Sequence, residues 1–223
     1  MTSWDAATYH RVAAPHEQWT REILARSGFR PGQLILDAGC GSGRATRLLL
    51  DHGLRVIAVD ADPAMVAKAR ETLPAEVPVL HRDLLELELD APVDGVFSGA
   101  VFHWITDHER LFARLRAALK PGGRLAAQCG GHGNIASVLD VVGERAGTWL
   151  YATAEDTERR LRDAGFSEAR AWLEPKPTRV DDMETYLATV VLHGQPDARE
   201  TAARAAAQLD HLDYVRLNID AVA

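Results

Sequence analysis

The residues whose spacing points to chemistry are glycines and acids at the ends of short apolar runs. Asp37-Ala38-Gly39-Cys40-Gly41-Ser42-Gly43 follows the run Gln33–Leu36. Glycines after a strand permit a tight turn and let the backbone approach a ligand closely. The dinucleotide fingerprint G-x-G-x-x-G would place its third glycine at position 44, which is Arg44. The glycines read G-x-G-x-G instead, and Asp37 stands two residues before the first of them. A carboxylate there suits an ammonium group better than a pyrophosphate; a plain strand-to-helix turn is the other reading. Asp60 stands 17 residues past Gly43, at the end of the next apolar run, where an acid can accept from a ribose diol. Asp83, in His81-Arg82-Asp83-Leu84, follows the third run and can accept from an exocyclic amine such as that of adenine; taken alone it reads as a loop carboxylate. The three acids together describe an elongated site for a ligand with an ammonium, a ribose and an adenine, and with no obligatory phosphate.

The elements that must position these residues alternate in type. Gln33–Asp37, Leu54–Val59, Val77–Leu80, Val93–Phe97 and Arg124–Gln128 read as buried strands. Helices over about 44–52, 63–73 and 106–119 connect them, the second capped by Asp62-Pro63 and the third by the Thr106-x-x-Glu109 box. The alternation extends to about Gly147 and implies parallel strands with right-handed crossovers. Beyond it, a helix from Ile135, a helix capped by Thr153 and stopped by Gly165, a strand Ala169–Leu173 broken by Pro175 and Pro177, helices over about 181–192 and 197–209, and a strand Tyr214–Ile219 are expected. No linker interrupts the chain. One domain over residues 1–223 is expected, with a core at 33–175 and 211–223, a cap helix within 1–30 and a helical cap at 178–210.

Composition narrows the classes. The chain has 223 residues and a net charge of −7, which argues against binding a nucleic-acid backbone. Its 47% hydrophobic and 26% charged residues are those of a globular protein. No apolar run approaches the roughly 18 residues of a membrane helix, so no membrane association is expected. No secretory signal is visible, so a cytoplasmic location is the default expectation.

The chain resembles the class I S-adenosylmethionine-dependent methyltransferases, on Asp37–Gly43, Asp60, Asp83-Leu84, Ser98-Gly99-Ala100 and Leu119-Lys-Pro-Gly-Gly-Arg-Leu125. A narrower similarity, to the trans-aconitate methyltransferase-like group, rests on Trp4-Asp-Ala-Ala-Thr-Tyr9, Phe97-Ser-Gly-Ala-Val-Phe-His-Trp104 and Gln128; the chain departs from that pattern at Cys129–Asn134. The resemblance implies an α/β, doubly wound Rossmann-like fold, a mostly parallel seven-stranded sheet with an antiparallel last strand and a helical cap. It implies S-adenosyl-L-methionine held by Asp37, Gly39, Cys40, Gly41, Asp60, Ala61, Met65, Asp83, Leu84, Ser98 and Gly99. If strand order follows the family, Cys40 and Cys129 follow strands two spacings apart, about 9.6 Å, and stay free thiols.

The implied activity is methyl transfer to a small molecule at oxygen, a carboxylate among the candidates. A nicotinamide-dependent oxidoreductase and a non-catalytic S-adenosylmethionine-binding protein are the alternatives. His103, after the fourth strand, is the candidate base, with packing under the cap as its other reading. Tyr9, Trp4, Trp104 and His132 are the candidate acceptor contacts. No metal site is expected: His81, Asp83 and His103 are too scattered for a ligand set.

Overall fold

The computed structural model describes residues 4–12, 15–142, 149–195 and 197–223; the end of the strand–helix alternation expected near Gly147 lies outside them. Five strands run parallel, and the central ones are covered on both faces: β1 (Leu34–Ala38), β2 (Arg55–Asp60), β3 (Val79–His81), β4 (Val93–Gly99) and β5 (Leu119–Gly130). Alternate residues divide between the two faces. Ile35, Phe97 and Ala126 meet Ile23, Phe29 and Leu49 on one side. Leu36, Val96, Leu125 and Ala127 meet Leu111, Leu115 and Leu161 on the other.

Two more strands, β6 (Glu168–Thr178) and β7 (Leu212–Val222), complete the seven-stranded sheet, in the order β3-β2-β1-β4-β5-β7-β6. β7 lies antiparallel to both neighbours, as expected. One expectation for β6 is corrected. The strand continues through Pro175 and Pro177 instead of breaking at them. β6 is the edge strand, and prolines two residues apart can turn their missing N–H toward the free edge.

The helices are α1 (Ala6–Val12), α2 (Pro15–Ser27), α3 (Arg44–Asp51), α4 (Pro63–Thr72), α5 (His108–Ala118), α6 (Ala136–Val142), α7 (Ala154–Asp163), α8 (Met183–Tyr186) and α9 (Ala198–Ala206). Asp62 caps α4 by accepting from Ala64 N and Met65 N, and Thr153 caps α7, as expected. The cap of α5 is Asp107, not Thr106: its carboxylate accepts from Arg110 N at 2.9 Å. The segment expected as one helix over 181–192 divides into α8 and a π-helical turn, Leu187–Val191.

The stretch before residue 30 forms two helices with different duties. α2 lies on β4 and β5, whereas α1 reaches α4 and α8. Trp19, Ile135, Val138, Tyr186, Leu187, Ala202 and Tyr214 form a separate apolar cluster that joins α2, the 183–206 helices and the start of β7. Cys40 and Cys129 are buried free thiols. Among the described residues, no helix is long and apolar enough to cross a membrane.

Candidate functional site

The C-terminal ends of the parallel strands gather the site, as the switch point of such a sheet should. The turn after β1 is built on left-handed glycines: Gly39, Gly41 and Gly43 have φ of 84°, 53° and 86°. Gly39 has a second constraint. A Cβ there would stand 2.3 Å from Val101 Cγ2, so no other residue fits. Gly39 N and Cys40 N both donate to Val59 O, at 2.8 and 2.9 Å, and tie the turn to β2.

Asp37, the last residue but one of β1, has its side chain out of solvent (1% exposed). Thr46 Oγ1 donates to its Oδ2 at 2.6 Å, while Oδ1 is buried with no hydrogen-bond partner. Burial pushes this carboxyl up to about 7, against the lowering effect of the Thr46 hydrogen bond, and nearby Asp60 adds to the rise. A buried acid with an unused oxygen is costly alone and is relieved by a cation. Asp60 accepts from Gly41 N at 2.8 Å and from Asp62 N at 2.9 Å. Its carboxyl is also raised by burial, and these two backbone bonds partly oppose that rise. It thereby links the glycine turn to the start of α4.

The remaining expected cofactor contacts fall around these two acids. Ala61 is exposed beyond β2, and its carbonyl lies 3.0 Å from His81 Nε2. Met65 and Leu84 are buried apolar walls. Asp83 is exposed and caps the turn Leu84–Glu86 by accepting from Leu85 N at 2.8 Å. Ser98 Oγ donates to Ala38 O at 2.7 Å, which ties β4 to the end of β1. Gly99 leads into Ala100, a non-glycine residue at φ 62°. That conformation costs about 1–2 kcal/mol, and Ala100 N is held there by Gln128 O at 2.7 Å.

A cavity opens beside the glycine turn; Asp37, Asp60, Ala61, Met65, Asp83, Leu84 and Ser98 are not among the residues that line it. Gly39, Cys40, Gly41 and Gly99 line it from the strand ends; Tyr9, Trp19 and Thr20 line it from α1 and α2; Gln128 and Arg216 close it from β5 and β7. Trp4 covers the neighbouring rim. Its ring stacks on His193 at 3.7 Å and meets Tyr9 and Trp104 edge-on at 5.3 and 5.7 Å, and its amide donates to Asp62 Oδ2 at 3.2 Å.

The two histidines separate. His103 is buried under the aromatic rim, beside Trp104 and Tyr151. Its Nδ1 accepts from Gly130 N at 3.2 Å, which assigns the proton of the neutral ring to Nε2. His132 is exposed, its amide donating to Ala152 O, and it does not line the cavity. Among the described residues, no cluster of three or more potential metal ligands forms.

Arg216 was missed by sequence reasoning. It alternates with Tyr214 and Asn218 along β7, a pattern that reads as a solvent face. The topology makes it an interior one, because β7 lies between β5 and β6 and α2 covers this side.

Comparison with known proteins agrees with this geometry. Residues 36–127 match the family model described as a methyltransferase domain. The chain is 33% identical over 190 residues to a trans-aconitate 2-methyltransferase of Methylobacterium nodulans, covering 83% of this chain and 72% of that one. It is 38% identical over 130 residues to the enzyme of that name from Acidovorax sp., covering 57% of this chain and 50% of that one. The chain thus spans about half the length of several curated relatives it matches. Among solved structures, Haemonchus contortus phosphoethanolamine N-methyltransferase 2 in complex with S-adenosyl-L-methionine superposes with a TM-score of 0.66 at 26% identity, over 92% of this chain and 52% of that one.

Proposed function

The chain belongs to the class I S-adenosylmethionine-dependent methyltransferases, in the trans-aconitate methyltransferase-like group, and we propose that it transfers a methyl group to a carboxylate oxygen of a small molecule. The observation that carries this reading is the cavity that joins the glycine turn to the polar face of β5 and β7. Its enclosure by α1 and α2 favours a small acceptor. The relatives named trans-aconitate 2-methyltransferase support a carboxylate.

The residues fit the cofactor. Asp37, buried with an unpartnered oxygen, matches an ammonium group. Gly39, with no room for a side chain, leaves backbone at the ligand's surface. Asp60 stands where a ribose diol would be accepted, and Asp83 and Leu84 lie on the adenine side. Bound there, S-adenosylmethionine supplies an activated sulfonium methyl, whose passage to a carboxylate oxygen forms O–CH3, breaks S–CH3 and leaves a neutral thioether.

The protein's part is to hold the acceptor in line and exclude water, and positioning of this kind contributes about 7–11 kcal/mol. Tyr9 and Trp104, with Trp4 across the rim, close the site. An ionised carboxylate needs no base. His103 therefore acts by position: its bond from Gly130 N fixes the end of β5, where the aromatic rim meets the strand. The test is incubation with methyl-labelled S-adenosylmethionine and a panel of small carboxylic acids, phenols and amines. Base-labile label released as methanol is expected from carboxylates. Label confined to amine products would overturn the oxygen assignment.

A further inference from the structure

Arg216 is nearly solvent-free (2% exposed), yet among the described residues it forms no ion pair with a carboxylate. Its Nε donates to Gln128 Oε1 over a long 3.4 Å, and its Nη2 has no hydrogen-bond partner. The guanidinium lies over the Trp19 ring at 4.4 Å and near the Tyr214 ring at 5.6 Å. A ring face attracts a cation but does not neutralise it. The polar groups around it are neutral as well. All four tyrosines of the chain, Tyr9, Tyr151, Tyr186 and Tyr214, feel its charge, and burial pushes every one of their hydroxyls up, so they remain protonated. The Cys129 thiol is likewise pushed up by burial, to about 12. A buried arginine whose neighbours are one neutral amide oxygen, neutral hydroxyls and rings is an incompletely paired cation, which a fold tolerates poorly unless a ligand completes it.

Its place in the sheet says which part of the reaction it serves. The acids read as ribose and adenine contacts follow β2 and β3, on one side of β1. Arg216 is on β7, opposite Gly130 of β5, three strands away on the other side. That is about 14 Å at ordinary strand spacing. The same cavity wall includes Gln128 and Tyr9, and Tyr186 and Tyr214 share a hydroxyl contact of 3.0 Å behind it. On the β5 and β7 side the cavity thus carries one unneutralised cation with the uncharged Gln128 beside it, while its other charged residues, Glu17 and Arg44, come from α2 and α3.

We infer that Arg216 is the anchor for a carboxylate of the acceptor, its guanidinium fork pairing with the two carboxylate oxygens while Gln128 orients the arginine. The inference rests on the methyltransferase reading above and names the residue that selects an anionic acceptor. Lysine would keep the charge but lose the fork.

The test is calorimetric titration of trans-aconitate and propane-1,2,3-tricarboxylate, with the neutral trimethyl ester of the latter as control. It uses wild type, Arg216→Gln and Arg216→Lys, with and without S-adenosylhomocysteine, together with the melting temperature of each unliganded protein. Expected are binding of an acid to wild type, weakening on the order of 100-fold in Arg216→Gln, partial recovery in Arg216→Lys, and no dependence on residue 216 for the ester. Arg216→Gln should melt at or above wild type, because a buried unpaired charge is removed. A melting temperature several degrees lower would show that the arginine serves the fold and overturn the inference. So would failure of both acids to bind wild type. So would weakened S-adenosylhomocysteine with unchanged 5′-methylthioadenosine, which would assign Arg216 to the cofactor's own carboxylate. Failure of wild type to bind S-adenosylhomocysteine would refute the functional reading instead, and the titration without it would still decide for or against Arg216.

Discussion

If Asp37 takes the cofactor's ammonium as proposed, it makes cofactor binding depend on pH in a calculable way. Burial holds its carboxyl near 7 in the unliganded protein, so at about pH 5 it is almost entirely protonated. Accepting an ammonium beside it requires ionisation first. Two units below the pKa, that costs about 2.7 kcal/mol at 1.36 kcal/mol per unit, roughly a hundredfold in affinity. The expected S-adenosylhomocysteine affinity therefore rises about tenfold per pH unit up to about pH 7 and then levels off. The unliganded stability moves the other way. Folding raises this pKa from 3.8, so the native state binds more protons than the unfolded chain between about pH 4 and 7. The group's stabilising contribution is present below the unfolded pKa and is lost as pH rises through the folded one. Calorimetry from about pH 5 to 8 reads the affinity, with 5′-methylthioadenosine as control because it lacks the amino-acid part. Asp60, also raised by burial, then appears in both titrations, and Asp37 only in their difference. Asp37→Asn should abolish that difference. A flat difference in wild type, or the same slope in Asp37→Asn, would show that Asp37 does not take the ammonium.

Three further perturbations probe the site. Asp60→Ala removes the acceptor of Gly41 N and Asp62 N along with the proposed ribose partner. Charge-assisted bonds of this kind are worth about 1.5–3 kcal/mol, so S-adenosylhomocysteine should bind about 10- to 100-fold more weakly by calorimetry, and unchanged affinity would show that Asp60 is misassigned. Gly39→Ala places a Cβ on Val101 at a positive φ; overpacking costs about 1–3 kcal/mol, and thermal unfolding should show a loss that Val101→Ala relieves only in part. His103→Ala should lower turnover less than tenfold with no change in the shape of the pH–rate profile, because Nδ1 already serves Gly130 N; a loss of about 10²–10⁴ with the acid limb removed would mark it as a base.

What was legible in the sequence follows from what periodicity records. The parallel strands are apolar on both faces, so β1 and β2 stand out as nearly continuous runs, and the glycines and acids at their ends could be placed beside one another. Pro175 and Pro177 misled because a proline disfavours strand only where a partner needs its N–H, and strand order, not sequence, makes β6 an edge. Thr106 and Asp107 both suit a helix cap, and only the geometry shows that Asp107 takes Arg110 N. Arg216 was hidden for the opposite reason to the prolines. Alternation along β7 records that Tyr214, Arg216 and Asn218 share a face, but not that α2 covers it. Trp4 and Tyr9 became interpretable through family resemblance alone, since nothing in their spacing says that they meet His193 and the rim of the cavity.

The proposed function requires that the glycine turn and its acids hold S-adenosylmethionine and not a pyrophosphate cofactor. Its most direct test is calorimetric titration of the purified protein with S-adenosylhomocysteine and, in parallel, with NAD. Micromolar or tighter binding of the first and none of the second is expected, because the buried Asp37 carboxyl favours an ammonium and opposes a pyrophosphate. Tight NAD binding without S-adenosylhomocysteine binding would contradict it.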